Sequence, residues 1–263
     1  MPWKDIQTIR AQAPLVHNIT NYVVMNFTAN TLLAIGAAPV MAHALEEVEE
    51  MVGLSRALVL NIGTLSGPWV EAMCRAGRAA RQRQIPVVLD PVGSGATRFR
   101  TETALRLIES VRPTIIRGNA SEIRSLLCER SGTRGVDSVH TPAEVQEEAL
   151  ALSRAAECVV SVSGAADLIV SNDRMVRIFN GHPLMSRVTG MGCAASALTG
   201  AFAAVHDDPF AAAAHAMTTM GIAGEMAAEQ SLGPGSFAVG FIDALARLGE
   251  SVVLQRKRTE GLL

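Results

Sequence analysis

The residues Val188-Thr189-Gly190-Met191-Gly192-Cys193 set two glycines either side of one methionine, with a cysteine directly after. A run of small residues follows, Ala194-Ala195-Ser196-Ala197-Leu198-Thr199-Gly200, so the stretch reads as a glycine turn feeding a helix start. Glycine lets backbone amides approach a ligand without Cβ interference. The first amides of a helix lack internal partners and sit at its positive end. Together they suit a phosphate or a developing oxyanion. The thiol of Cys193 would project at the same point, where the positive end lowers its pKa and favours the thiolate. A plainer use exists for the same residues: a tight turn, then a small apolar residue on a packed helix. A single Gly-x-Gly does not separate the two.

Further polar groups stand where apolar runs end. The runs at 57–62, 86–89, 114–116 and 158–162 lead into Gly63-Thr64, Asp90-Pro91, Arg117-Gly118-Asn119 and Ser163-Gly164. In an open α/β sheet, ligands bind outside the carboxyl ends of the strands. That rule would gather a carboxylate, a guanidinium, an amide, a hydroxyl and several glycines around Cys193. Asn119-x-x-Glu122 adds a second carboxylate one helical turn along. It also matches a capping box with Asn in place of Ser or Thr.

The elements that must hold these groups alternate. Residues 3–12 read as a short amphipathic helix. Thr20 or Asn21 is positioned to cap a helix from 22 to about 35, which Gly36 stops. Residues 37–41 read as a short strand and 46–51 as an acidic, solvated helix. Helices are expected from 65 to 83, over 101–110, from 120 onward and over 143–156. Residues 167–170 and 175–179 form two antiparallel strands joined at Asn172-Asp173, a turn signal. After the glycine stretch the chain reads as almost wholly helical, with Gln255-Arg256-Lys257-Arg258 as a frayed, solvated end. Apolar strands alternating with helices predict an α/β fold, a mainly parallel central sheet with helices on both faces. No linker, low-complexity break or internal repeat appears, so residues 1–263 are expected to form a single domain.

Composition narrows the function. Hydrophobic residues make up 49% of the 263 and aromatics 4%, which describes an aliphatic core. The net charge is -2 without a dense basic cluster, arguing against nucleic acid as a partner. Cys74, Cys128, Cys158 and Cys193 show no CxxC spacing, so neither a zinc site nor a disulfide framework is expected. No signal peptide and no apolar run of membrane-spanning length is visible, and a soluble, cytoplasmic protein without membrane contact is the expectation.

Six segments together carry a resemblance. They are His17-Asn18-Ile19-Thr20-Asn21, Gly36-Ala37-Ala38-Pro39-Val40-Met41, Asn61-Ile62-Gly63-Thr64-Leu65, Val88-Leu89-Asp90-Pro91-Val92-Gly93, Ile116-Arg117-Gly118-Asn119-Ala120-Ser121-Glu122 and Val188-Thr189-Gly190-Met191-Gly192-Cys193. In this order they resemble the hydroxyethylthiazole kinases, a family of the ribokinase-like superfamily. Many superfamily members carry aspartate at the position of Cys193; the cysteine is shared with the narrower family. The resemblance implies a ribokinase-like fold and transfer of the γ-phosphoryl of ATP to the alcohol of 4-methyl-5-(2-hydroxyethyl)thiazole, a salvage step toward thiamine diphosphate. It implies a homotrimer with active sites shared between neighbours. By matching position, Met41 contacts the thiazole from the adjacent subunit, with Asn21 and Gly190 on the substrate side. Arg117 and Ser163 bind ATP, with Asn119 beside them; the family commonly has threonine at the serine. Gly190, Met191 and Gly192 form the anion turn, Asp90 and Glu122 lie near Mg²⁺, and Cys193 is the catalytic residue, as a base or as a positioner.

Other classes remain to be weighed at this point. A Cys–His hydrolase would pair Cys193 with His17, His43, His182 or His215 and would act without ATP. Another alcohol kinase or an ADP-dependent dehydratase could use the same fold, and a thiazole sensor would bind without turnover. A sensor has no need of the carboxylates Asp90 and Glu122. His182 and His215 are expected to be satisfied structural histidines.

Overall fold

The apolar runs become strands of one mixed sheet. The computed structural model describes residues 1–131, 142–172 and 174–261. The strands are β1 (Leu15–Ile19), β2 (Ala38–Val40), β3 (Ala57–Asn61), β4 (Val87–Asp90), β5 (Ile115–Asn119), β6 (Val159–Ser163), β7 (Asp167–Ser171), β8 (Arg174–Ile178) and β9 (Thr259–Gly261). Their order across the sheet is β2-β1-β3-β4-β5-β6-β7-β8-β9. Strands from β2 through β6 are parallel, and β7, β8 and β9 run on antiparallel. The helices are α1 (Pro2–Gln12), α2 (Met25–Ile35), α3 (Val48–Leu54), α4 (Gly67–Gln82), α5 (Arg98–Val111), α6 (Ala120–Ser131), α7 (Pro142–Ala156), α8 (Met191–Ala203), α9 (Pro209–Ala228), α10 (Pro234–Arg247) and α11 (Glu250–Arg256).

Both sheet faces are buried, which is why the strands read as unbroken apolar runs. Successive side chains alternate between faces. Val59, Val88, Ile115 and Val159 join one core, with residues of α1, α2, α8, α9 and α10. Leu58, Leu60, Leu89, Ile116 and Val160 join the other, with residues of α3 through α7. Helix α8 lies flush on the first face because it is built of small residues. A Cβ added at Gly200 would come within 2.6 Å of Val59 Cγ2.

The mainly parallel α/β architecture is as expected, with differences at several elements. Leu15–Ile19 is a buried strand, although His17 and Asn18 interrupt its apolar character. Neither Thr20 nor Asn21 caps α2, which starts at Met25 behind Val24; residues 22–24 form a turn closed by Val24 N–H to Asn21 O at 3.2 Å. Gly36 stops α2 with φ 105°. The acidic helix begins at Val48, because the side chain that buries is Val48 rather than Glu46. The hairpin joining β7 to β8 passes through Asn172 with φ 50°; Asp173 lies outside the described residues. The segment 255–258 is not frayed. Arg256 pairs with Glu229, Arg258 with Glu225, and β9 adds to the sheet edge at β8. The basic residues are tied to carboxylates of α9 and its end, a pairing across the fold that local composition does not reveal.

Candidate active site

The parallel strands deliver their last residues to one edge of the sheet, and register sets which of them meet. Asn61 and Asp90 are cross-strand partners at the ends of β3 and β4; Asn119 and Ser163 are partners at the ends of β5 and β6. Asn61 is 1% exposed and every polar position of its amide is used. Its Oδ1 accepts from Gly63 N–H and Asn21 Nδ2, both at 2.9 Å. Its Nδ2 donates to Asp90 Oδ2 at 2.7 Å and to Cys193 Sγ at 3.1 Å. Asn21 Nδ2 also approaches the sulfur, at 3.4 Å, and Ser196 Oγ donates to Asp90 Oδ2 at 2.7 Å. Asn21, Asn61, Asp90, Cys193 and Ser196 therefore form one network. The sulfur's partners are two amides, so no Cys–His pair is built here.

Gly190 caps α8 with φ 87°, a backbone that only glycine adopts without strain. The Arg117 guanidinium stands beside this turn: a Cβ at Gly192 would lie 3.6 Å from its Nη1. Arg117 is 6% exposed, and its Nε has no hydrogen-bond partner in the protein. A buried guanidinium with an unmet donor is suited to an anionic ligand. Glu122 and Asn119 do form the capping box: Glu122 N–H donates to Asn119 Oδ1 at 2.9 Å, and Asn119 N–H to Glu122 Oε2 at 2.8 Å. The other oxygen, Oε1, accepts from Gly93 N–H at 2.9 Å. Ser163 Oγ lies 3.4 Å from Gly118 O.

Electrostatics correct one expectation. The Cys193 thiol is pushed up to about 11, first by burial and then by the Asp90 charge; the amides of Asn61 and Asn21 pull the other way without prevailing. The positive helix end exists, but desolvation and a neighbouring carboxylate outweigh it. Burial also raises Asp90 to about 6, against Arg117, Ser196 and Asn61, which favour its charge. Asp167, at the start of β7, is raised to about 6 by burial, with Arg117 and Gly164 N–H opposing.

Several site-shaping residues had no role in the sequence reading: Asn61, Ser196, Arg100 and Asp167. Asn61 carried a signal, an amide closing a wholly apolar strand. Arg100 on α5 donates to the carbonyls of Ile62, Val92 and Gly63, each at 2.8 Å, and so ties the loops after β3 and β4 together. Gly63 is needed for Asn21: a Cβ there would fall 2.7 Å from Asn21 Nδ2. Met41 follows β2 and is partly exposed, outside the amide network, while Tyr22 and Val23 beside Asn21 are 64% and 67% exposed. His182 caps the 3-10 turn Pro183–Arg187, and His215 pairs with Asp5, so both have structural partners.

A parallel sheet whose strand ends face a glycine-capped helix start places the protein in the ribokinase-like class of α/β folds. Pyridoxal kinase from Staphylococcus aureus, solved with AMP-PCP, shares this fold at a TM-score of 0.60, with 15% identity over 81% of this chain and 88% of that one. A model of the Hydroxyethylthiazole kinase family matches residues 6–251. A hydroxyethylthiazole kinase from Syntrophus aciditrophicus is 57% identical over 97% of this chain and 95% of its own; one from Leptospira biflexa is 52% identical over 96% and 95%. The solved hydroxyethylthiazole kinase of Pyrococcus horikoshii superimposes with a TM-score of 0.93 at 43% identity, covering 100% of this chain and 99% of that one. The chain belongs to the hydroxyethylthiazole kinase family.

Proposed function

We propose that the protein transfers the γ-phosphoryl group of ATP to the hydroxyl of 4-methyl-5-(2-hydroxyethyl)thiazole, giving the thiazole phosphate used for thiamine diphosphate. The observation that carries this reading is the network of Asp90, Asn61 and Cys193 at the strand ends beside the glycine-capped start of α8 and Arg117. The alcohol oxygen attacks the γ-phosphorus, the bond to the β-phosphate bridging oxygen breaks, and ADP leaves. Such a transfer depends mainly on positioning and charge neutralisation. The free amides at Gly190, Met191 and Gly192 and the Arg117 guanidinium neutralise the γ-phosphoryl oxygens. Ser163 and Asn119 border the nucleotide.

Mg²⁺ prefers oxygen ligands and retains several waters, and Asp90 and Glu122 supply two carboxylates of that kind. Their mutual repulsion, which helps raise Asp90, is the strain that a cation relieves, so the residues fit the ion. When bound, it would supply charge neutralisation at the phosphates. Asn21, Gly190 and Met41 border the thiazole. Cys193 faces the alcohol as a neutral thiol, and Asn61 holds it beside Asp90 by donating to both. The alcohol proton leaves late in the transfer, to an oxygen of the phosphoryl group, with the sulfur holding the hydroxyl.

The exposed apolar side chains of Tyr22 and Val23, next to Asn21, support a subunit contact at the site, and we place Met41 of a neighbouring copy there in a cytoplasmic homotrimer. The test is ATP consumption against a panel of alcohols: hydroxyethylthiazole, hydroxymethylpyrimidine and a sugar. Turnover is expected to be fastest with the thiazole. No turnover with it overturns the function, and a fully active monomer in sedimentation overturns the shared site.

A further inference from the structure

A second group of metal-ligating side chains lies at the far end of α8. Asp5 comes from α1, His206 from the connection between α8 and α9, and His215 from α9. One donor atom from each lies within 4.8 Å of the others. Among the described residues no other trio of His, Cys, Asp or Glu comes so close. Helix α8 has 13 residues, so its start beside Cys193 and its end before His206 stand about 20 Å apart at 1.5 Å per residue. The group is thus remote from the phosphoryl-transfer site.

The chemistry of the trio is specific. Asp5 and His215 are 8% and 2% exposed, and Asp5 Oδ2 lies 2.6 Å from His215 Nδ1. The hydrogen held between Oδ2 and Nδ1 occupies the place an ion would take, with both atoms turned toward it. The His206 ring stands edge-on to His215, with centroids 5.5 Å apart, and its Nδ1 accepts from Asp208 N–H at 3.0 Å. Its lone pair is therefore held by one backbone hydrogen bond. The trio sits where the first helix of the chain meets the alanine-rich α9.

We propose that Asp5, His206 and His215 bind a zinc-type divalent cation that fastens α1 to α9. Two imidazoles and a carboxylate, in a partly buried setting, match the preference of Zn²⁺ for nitrogen and oxygen ligands at about 2.0–2.2 Å. Donors around one ion at that range stand about 3.3 Å apart, so loading opens the Asp5–His215 pair slightly and draws His206 in. His206 exchanges its Asp208 hydrogen bond for the metal. The proposal does not depend on the kinase reading.

The competing account is that Asp5–His215 is a buried pair and His206 a bystander. The two accounts differ at His206, whose removal leaves the pair intact. Protein stripped with a chelator is titrated with Zn²⁺ by calorimetry, and its thermal midpoint is recorded with and without the ion. The variants are His206→Ala and Asp5→Asn. One Zn²⁺ per chain is expected, with a raised midpoint. In His206→Ala, affinity should fall at least about tenfold and the midpoint shift should vanish, while circular dichroism of the stripped variant stays that of the parent. Co²⁺ should give visible ligand-field bands in the parent that His206→Ala lacks. Absence of stoichiometric binding overturns the proposal. So does equal binding by parent and His206→Ala, which would place the ion elsewhere. If Asp5→Asn fails to fold, the His206 comparison still decides.

Discussion

At the level of single residues, the site's behaviour turns on which effect wins at Cys193. The helix end alone would favour a thiolate, but burial and Asp90 keep the thiol protonated. Alkylation of Cys193 by iodoacetamide at pH 8 should be roughly 10²-fold slower than for an ordinary exposed thiol, and should keep accelerating toward about pH 11. A group that is neutral in the working enzyme loses little on removal. Cys193→Ala should therefore cost less than about tenfold in kcat, short of the 10²–10⁴ expected for a lost base. Cys193→Asp sets an ionisable acceptor at the same point and should remain active, with a higher KM for ATP. A large loss in Cys193→Ala that Cys193→Asp restores would return the proton transfer to this position, and equal losses in both would exclude a base there. Asn61 is the residue on which the network depends. Asn61→Asp replaces the donor to Asp90 and Cys193 with a second carboxylate. Losing a hydrogen bond to a charged group costs about 1.5–3 kcal/mol, so kcat should drop by about 10–10² while the KM for ATP changes little. A lower thermal midpoint with normal kcat would make Asn61 structural only.

At the level of elements, the strand ends were readable because each apolar run stops at a polar residue. Asp90, Arg117, Asn119 and Ser163 stand out for that reason, and Cys193 by its glycines. Asn61 escaped because its strand was read for apolar character alone. Arg100 and Ser196 are not legible because their partners are distant in sequence: Arg100 reaches back 38 residues to Ile62, and Ser196 reaches Asp90 across 106. The strand β1 was missed because His17 and Asn18 are polar and yet buried; His17 is held by Ala42 O and Asn18 by Val16 O. The thiol pKa was misread because a sequence shows the helix start and not the depth at which it lies. Helix α8 offers a packing test. Gly200→Ala would press a methyl into Val59 and Val16, and overpacking of this kind costs about 1–3 kcal/mol. Chemical denaturation should show that loss, and Val59→Ala combined with Gly200→Ala should be less destabilised than the sum of the two. Strict additivity would mean that α8 shifts outward instead.

For the molecule as a whole, buried titratable groups set opposing pH dependences. His17 and His215 have folded pKa values lowered by burial. The unfolded chain takes up protons that the folded one refuses, so their contribution is complete above about pH 6.5 and is lost as the pH falls below it. Asp90 and Asp167 act in reverse. Their folded values of about 6 exceed the ordinary carboxylate range, so folding gains stability as the pH falls from about 6 to about 4. In metal-free protein, Asp90→Asn removes one of these carboxylates. Its thermal midpoint should exceed the parent's above pH 6, and the advantage should vanish near pH 4. Its midpoint should also fall more steeply with acid than the parent's. A constant offset between the two curves would refute the raised value for Asp90.

The pairing of Asn61 with Asp90, and of Asn119 with Ser163, has a consequence for how the chain tolerates insertions and deletions. Both pairs belong to the hydrogen-bonded ladder itself, so chemistry and strand alignment cannot drift apart. A one-residue insertion within β3, β4, β5 or β6 would turn the buried side chains toward the wrong face and separate the paired site groups in the same event. No slipped yet folded form that keeps the site intact is available to the chain. A scan of single-codon insertions should therefore find activity and soluble yield lost together within these four strands. Insertions in the turns at the opposite edge of the sheet should lower yield, if at all, without lowering the activity of the protein that folds.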